Sequence, residues 1–250
     1  KGAKPFVAAG VLEGAERVFG LHTAYDLEAG TVGLKPGINN AAVDHFRIRV
    51  HGKSTHVSTP HLGVDALYIA SQIVVAVQGL VTRCTSPTEP VIIGVGKLNA
   101  GTTYNAVAAF AEMEGTTRTI SQESRDRVRA QVSETAQSIA ALYGGTAEVE
   151  WTDFAAALVN DPQVCEEAAR VVDELLGAGH VVTDRELSLS GDNFAEFELY
   201  KPGAYAYLGT GNPDLPHTMI TNHNGGFDVD ENALVTGAGL YVGYTVARLG

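Results

Sequence analysis

The period of apolar positions changes several times along the chain, and each change marks an element. "KPFVAAGVLEG" repeats at helical spacing and ends at Gly14, and "RVFGLH" is a short apolar strand ending at His22. "GTVGLKPG" reads as a second short strand closed by Pro36-Gly37. From Asn39 the pattern alternates, with Val43, Phe46, Ile48 and Val50 on one face, as in a half-buried strand. A long helix follows in "GVDALYIASQIVVAVQGLVTRC", where Ala66, Ile69, Ala70, Ile73, Val77 and Leu80 share a side. "PVIIGVGKLNAG" and "AFAEMEGTTRT" are strands. "SQESRDRVRAQVSETAQSIAALYGG" is a second amphipathic helix with Ser121 or Ser124 as N-cap and Gly144-Gly145 as its stop, and "TAEVEWTDF" is a strand.

Residues 39–152 therefore run β-α-β-β-α-β, the order of a ferredoxin-like sandwich with two helices on one face of an antiparallel sheet. The flanking pieces, 1–38 and 153–250, read as α/β material. They hold a helix opened by Asp161-Pro162, a strand running into a loop and helix in "ELSLSGDNFAEFE", a strand "GAYAYLGTGN" and a closing helix from about Asp230. The fold class expected is α/β, with the β-α-β-β-α-β module inserted into an α/β body.

Composition narrows the partners. Lys plus Arg number 17 against 29 Asp plus Glu, a net charge of −12, which argues against nucleic acid and anionic membranes. No apolar run reaches the ~18 residues of a membrane span, so none is expected. The two cysteines, Cys84 and Cys165, match no metal or redox spacing, and a reduced, cytoplasmic protein is the expectation. The first residues lack the long apolar core of a signal peptide.

Chemistry concentrates in a few polar positions. His22 closes an apolar strand, and carboxyl ends of strands in α/β sheets gather ligands and metals. His223 lies in a Gly-rich loop before the last helix. The two could share a metal, though zinc usually takes three or four protein ligands. His56 and His61 flank Pro60 in the loop "GKSTHVSTPHLG"; an imidazole there either polarises a carbonyl or simply shapes the helix entry. Asn105 follows a strand in "AGTTYNAV", where its amide could bind a carbonyl or carboxylate. Arg118 ends the next strand, as a bidentate carboxylate clamp or as a surface ion pair. His45, His51, His180 and His217 read as ordinary surface or edge residues.

Six motifs in fixed order, "FGLHTAYDLEAGTVGLKPG", "GKSTHVSTPHLGVDA", "GKLNAGTTYNAV", "EGTTRT", "SGDNFA" and "YLGTGN" with a later His and "FDVDENAL", span nearly the whole chain. Together they resemble the metal-dependent amidohydrolases and peptidases that include aminoacylases, hippurate hydrolases and auxin-conjugate hydrolases. The resemblance implies a catalytic α/β domain carrying an inserted ferredoxin-like lid that dimerises. It implies His22 and His223 as metal ligands and His56 as the catalytic group at the scissile carbonyl, in dimers often that of the partner's site. Asn105 and Arg118 become substrate-binding residues, with His61 beside them shaping the loop. The implied cofactors are two divalent ions, zinc, manganese, cobalt or nickel. The implied partners are an N-acyl amino acid or small peptide as substrate and a second copy of the chain.

The sequence departs from that family's pattern. It has no Cys-Gly-His and no Glu-Glu pair at the matching place, the groups that supply further ligands and the base that activates water. Asp192-Asn193-Phe194 stands for Glu-Asp-Phe, Tyr25 and Ala108 stand where prolines are common, and Asn-Gly-Gly follows His223. Amide hydrolysis is thus the expected activity, with the chain weak or inactive in isolation. The alternative is a non-catalytic homologue acting as a dimerisation or ligand-binding module.

Overall fold

The computed structural model describes residues 2–249. In chain order its elements are α1 (Ala3–Ala8), β1 (Val18–Glu28), β2 (Val32–Gly33), β3 (Gly37–Asn40), β4 (Ala42–His51), α2 (Ala66–Arg83), β5 (Ile92–Ala100), β6 (Phe110–Thr119), α3 (Gln122–Leu142), β7 (Thr146–Ala155), β8 (Leu158–Asn160), α4 (Pro162–Leu176), β9 (Val181–Val182), α5 (Ala195–Glu198), β10 (Gly203–Gly211) and α6 (Asn232–Leu249). Single 3-10 turns lie at Pro60–Leu62 and Pro216–Met219.

Two units emerge. One comprises residues up to Asn40, Leu158–Ser188 and Asp192 onward; the other is Ala41–Ala157 with Leu189–Gly191. The division falls a few residues from 38/39 and 152/153 for a clear reason. β7 stays paired with β4 as far as Ala155 opposite Val43, while β3 and β8 pair with each other, Gly37 opposite Asn160.

The inserted unit is the β-α-β-β-α-β sandwich that the alternation predicts. Its sheet has the order β5-β6-β4-β7, all neighbours antiparallel. One face of the sheet carries Phe46, Ile48, Val50, Ala111 and Met113, which pack against Ile69, Ile73 and Val77 of α2 and Val128, Val132 and Ala136 of α3. Asp65 caps α2 by accepting from the amides of Leu67 and Tyr68, and Ser121, not Ser124, caps α3. The opposite face is a charge ladder. Arg47 and Arg49 on β4 lie against Glu112 and Glu114 on β6, and Arg49 also reaches Glu150 on β7. Hydrogen bonds from Lys97 and His45 hold Glu114 down at about 2. Contrary to expectation, α2 has the length and apolar content of a membrane span. Its buried stripe of Ala66, Ile69, Ala70, Ile73 and Val77 is committed to the sandwich core.

The other unit is built on a mixed four-stranded sheet of order β1-β10-β2-β9, with β1 parallel to β10. Val32, Leu34, Ala204, Ala206 and Leu208 form a core with Val164, Ala168 and Val172 of α4 and Leu240 of α6. Asp161 caps α4 through the amides of Gln163 and Val164, with Pro162 in the first turn. The buried Asn160 side chain accepts from the Tyr205 amide and donates to the carbonyls of Lys35 and Tyr205, tying the crossover segment to β10. One expectation fails here: β1 does not end at His22. It runs on to Glu28, because its backbone keeps pairing with β10 through Ala24. The segment before "SGDNFA", expected as a strand, has only a bridge between Ser188 and Asn40.

Candidate functional site

In the inserted unit, two loops at one end of the sheet close on each other. The Val107 amide donates to the Thr55 carbonyl at 2.8 Å, the Val57 amide donates to the Asn105 carbonyl at 3.1 Å, and Ser54 Oγ donates to the Val107 carbonyl at 3.0 Å. His56 bridges Ala106 in this miniature ladder. On its other side the first loop is anchored by paired hydrogen bonds between Lys53 and Val64. His56 and Asn105 thus come to stand together, both exposed, on a loop pair fixed along both edges. Thr103 Oγ1 donates to the Asn105 side-chain oxygen at 3.2 Å, which leaves the amide nitrogen of Asn105 as the outward donor. His61 lies in the 3-10 turn at Pro60–Leu62, exposed, with its backbone setting the approach to α2.

Arg118 lies elsewhere. It is the penultimate residue of β6, opposite Val43 and Ile92, whereas the Asn105 loop precedes the first residue of that strand, Phe110. Eight steps along the strand lead from Phe110 to Arg118, about 27 Å at the ~3.4 Å rise of an antiparallel strand. Arg118 and the His56–Asn105 pair therefore occupy opposite ends of the same sheet. The Arg118 guanidinium donates to Thr116 Oγ1 and to the Thr117 carbonyl, and Thr116 Oγ1 in turn donates to the Asp44 carbonyl at 2.7 Å. Partial burial draws this guanidinium below its ordinary value, and the Asp44 carboxylate works the other way. Among the described residues no carboxylate pairs with Arg118, so the surface ion pair weighed from sequence does not form. Its fork stays open to an anion.

His22 and His223 belong to the other unit. The Nδ1 of His22 lies 2.7 Å from the Thr23 carbonyl oxygen. A carbonyl only accepts, so Nδ1 carries the proton and the Nε2 lone pair is free, the form a metal ligand requires. The ring forms a triangle with those of Tyr205 and Tyr207, at 6.2 and 6.3 Å between centroids, and the two tyrosines are 5.7 Å from each other. Both tyrosines are pinned, Tyr205 by donating to Asp192 at 2.8 Å and Tyr207 by donating to Asn40 at 2.7 Å. Burial pushes both phenols above their ordinary value. His223 is exposed and has a φ of 64°, the left-handed region that non-glycine residues avoid. Among the described residues no three His, Cys, Asp or Glu side chains are grouped to hold a metal. The chemistry of His22 fits a divalent ion, but these residues alone do not complete a coordination sphere.

The remaining histidines are accounted for by ordinary contacts: His45 with Glu114, His51 with Glu148, His180 with the Gly30 carbonyl and His217 with Asp228. Sequence reasoning passed over Ser58, whose amide and hydroxyl both meet His56 Nδ1, and Thr116, which seats Arg118. The spacing His-x-Ser was the available signal for the first. Alternation along β6, which puts Thr116 and Arg118 on one face, was the signal for the second.

Residues 41–143 match the peptidase dimerisation domain. Over 95% of its length the chain is 34% identical to thermostable carboxypeptidase 1 of Saccharolobus solfataricus, covering 59% of that protein. It is 36% identical to N-acetyl-L-cysteine deacetylase of Bacillus subtilis, over 94% of the chain and 54% of the relative. A crystal structure from Bacillus subtilis, described as a dinuclear metal-binding peptidase of family M20, superposes with a TM-score of 0.80 at 30% identity, over 99% of this chain and 61% of that one. The chain thus spans little more than half the length of the curated relatives it matches. Over residues 41–143 the chain is thus similar to the peptidase dimerisation domain, and over nearly its full length it is similar to a carboxypeptidase, an N-acetyl-L-cysteine deacetylase and a dinuclear metal-binding peptidase of family M20.

Proposed function

We propose that the protein hydrolyses the amide bond of N-acyl amino acids or small peptides, and that this chain supplies the substrate-handling groups. The observation that carries the reading is the locked pairing of loops 54–57 and 105–107, which presents His56 beside Asn105. An imidazole and a carboxamide held side by side on a rigid pair of loops suit a carbonyl oxygen that gains charge during reaction. Arg118, with its open guanidinium, suits the carboxylate of the amino-acid half.

A single small substrate cannot touch both ends of one sheet. The separation of about 27 Å along β6 supports a site assembled from two copies, Arg118 from one and His56 with Asn105 from the other. His22, through Nε2, and His223 would contribute to holding divalent ions. When bound, such ions polarise the carbonyl and lower the pKa of the attacking water. The relatives' printed names, a carboxypeptidase and an N-acetyl-L-cysteine deacetylase, are in keeping with amide substrates that carry a carboxylate.

The test is hydrolysis of N-acetyl and N-benzoyl amino acids, assayed with added Zn²⁺, Mn²⁺ or Co²⁺, against the matching amino-acid amides. Cleavage that requires metal and prefers the free carboxylate is expected. A second reading, a dimerisation or ligand-binding module without catalysis, draws on the lack of a three-ligand group among the described residues. Metal analysis of the purified protein separates the two. Stoichiometric metal lost on replacing His22 supports hydrolysis, and a metal-free stable dimer supports the module.

A further inference from the structure

His56 is met on one nitrogen by both donors of a single residue. The Ser58 backbone N–H points at His56 Nδ1 across 3.1 Å, and Ser58 Oγ lies 2.7 Å from the same atom. A backbone N–H can only donate, so Nδ1 must be the nitrogen without a proton. The hydroxyl, free to rotate, turns its hydrogen to the same lone pair. In a neutral imidazole the proton is then on Nε2. The turn that enforces this is itself held. The Thr59 amide and Oγ1 both donate to the His56 carbonyl, at 2.9 and 3.2 Å, and Thr55 and Thr59 hydroxyls meet at 3.2 Å.

We propose that Ser58 is a positioning residue that fixes His56 as an Nε2–H donor, so that His56 serves an acceptor oxygen and neither a metal nor a proton. Metal binding at Nδ1 would displace both Ser58 contacts, and metal binding or base catalysis at Nε2 needs a lone pair that the proton fills. His22 is set the opposite way, since a carbonyl at its Nδ1 leaves Nε2 open. Two histidines of one chain are thus given opposite tautomers by their neighbours' backbone, one a lone-pair ligand and one an N–H donor. The identity of the oxygen, a scissile carbonyl, rests on the function proposed above; the tautomer does not.

The experiment is ¹⁵N NMR of the chain at about pH 8, above the ordinary titration of imidazole. A scalar coupling between the Ser58 amide nitrogen and His56 Nδ1, transmitted through the hydrogen bond, is expected. His56 Nδ1 should resonate in the pyridine-like range and Nε2 in the pyrrole-like range. Ser58→Ala keeps the coupling but shifts Nδ1 toward the value of an acceptor with fewer donors, and Ser58→Thr restores it. A pyrrole-like Nδ1 overturns the proposal, as does a missing coupling with Nδ1 unmoved in Ser58→Ala. The hydrolysis assay is read separately. The expected spectrum without any hydrolysis counts against the amide-hydrolase reading alone, and hydrolysis with a pyrrole-like Nδ1 counts against this inference alone.

Discussion

Asp44 takes both sides of the Arg125 guanidinium, from Nε at 2.8 Å and from Nη2 at 2.5 Å, with the carboxylate 1% and the guanidinium 7% exposed. The pair ties the first residues of β4 to the first turn of α3, and Arg129 adds a second cation at 3.3 Å. Removing the carboxylate takes the hydrogen-bonded partner from a buried guanidinium, whose other carboxylate, Asp153, is half-exposed and 3.7 Å away. Asp44→Ala should therefore cost about 3–5 kcal/mol in urea unfolding, at an unchanged m-value. Replacing Asp44 and Arg125 together by apolar residues of similar volume should recover much of that loss. A single substitution costing under about 1 kcal/mol would show that water reaches the site.

Gly115 sits where β4, β5 and β6 crowd together. A methyl group there would overlap both the Phe46 ring and the Gly94 carbonyl oxygen on the neighbouring strand. Strand backbone gives little, so Gly115→Ala should destabilise the inserted unit by about 3 kcal/mol. Gly96, whose Cβ position is open, is the control and should change little. Thermal unfolding of the two variants side by side decides the point.

Burial pushes the Glu198 carboxyl up to about 7 from an ordinary 4.5, against the pull of the Val159 amide and with the help of nearby Asp192. Between those two values the native chain keeps a proton that the unfolded chain has released. Stability from this group is therefore fully present below about pH 4.5 and lost as pH rises through about 7, a loss of about 3 kcal/mol. Glu198→Gln should remove that slope. It should raise stability at about pH 8 and leave it nearly unchanged at about pH 4. Parallel pH profiles for the two proteins would refute the burial argument.

His22 offers a test of the metal side. With Nδ1 bonded to the Thr23 carbonyl, Nε2 is the only lone pair of the ring. His22→Gln should weaken Zn²⁺ or Co²⁺ binding roughly tenfold or more in calorimetric titration, while His56→Gln leaves it unchanged. Equal losses from both variants would mean that His56 is a ligand after all, and would contradict the tautomer assigned to it.

The inserted unit was legible in the sequence because every element carries a period. Phe46, Ile48 and Val50 alternate on β4, and Ile69, Ile73 and Val77 recur on α2. The body was less legible, since β1 continues past His22 through backbone pairing with β10, and pairing leaves no mark on side-chain hydropathy. Candidate residues could be named from their motifs, but sequence order hides separation. Asn105 and Arg118 are thirteen positions apart, yet an intervening strand carries them to opposite ends of a sheet. The tautomers of His22 and His56 depend on which backbone group faces Nδ1, which only coordinates reveal.

That separation gives the most direct prediction. If one chain supplies Arg118 and its partner supplies His56 and Asn105, then His56→Ala and Arg118→Ala homodimers each have every site broken. In a mixture, half the dimers are mixed, and one of their two sites receives an intact Arg118 from one copy and an intact His56 from the other. Mixing the two inactive variants with subunit exchange should therefore restore about a quarter of wild-type activity. A site contained within one chain gives a different result, because every chain in the mixture carries a defect and no activity returns. Recovery of activity on mixing Asn105→Ala with Arg118→Ala, but not Asn105→Ala with His56→Ala, would further place Asn105 and His56 on the same contributing copy, as their shared loop pair requires.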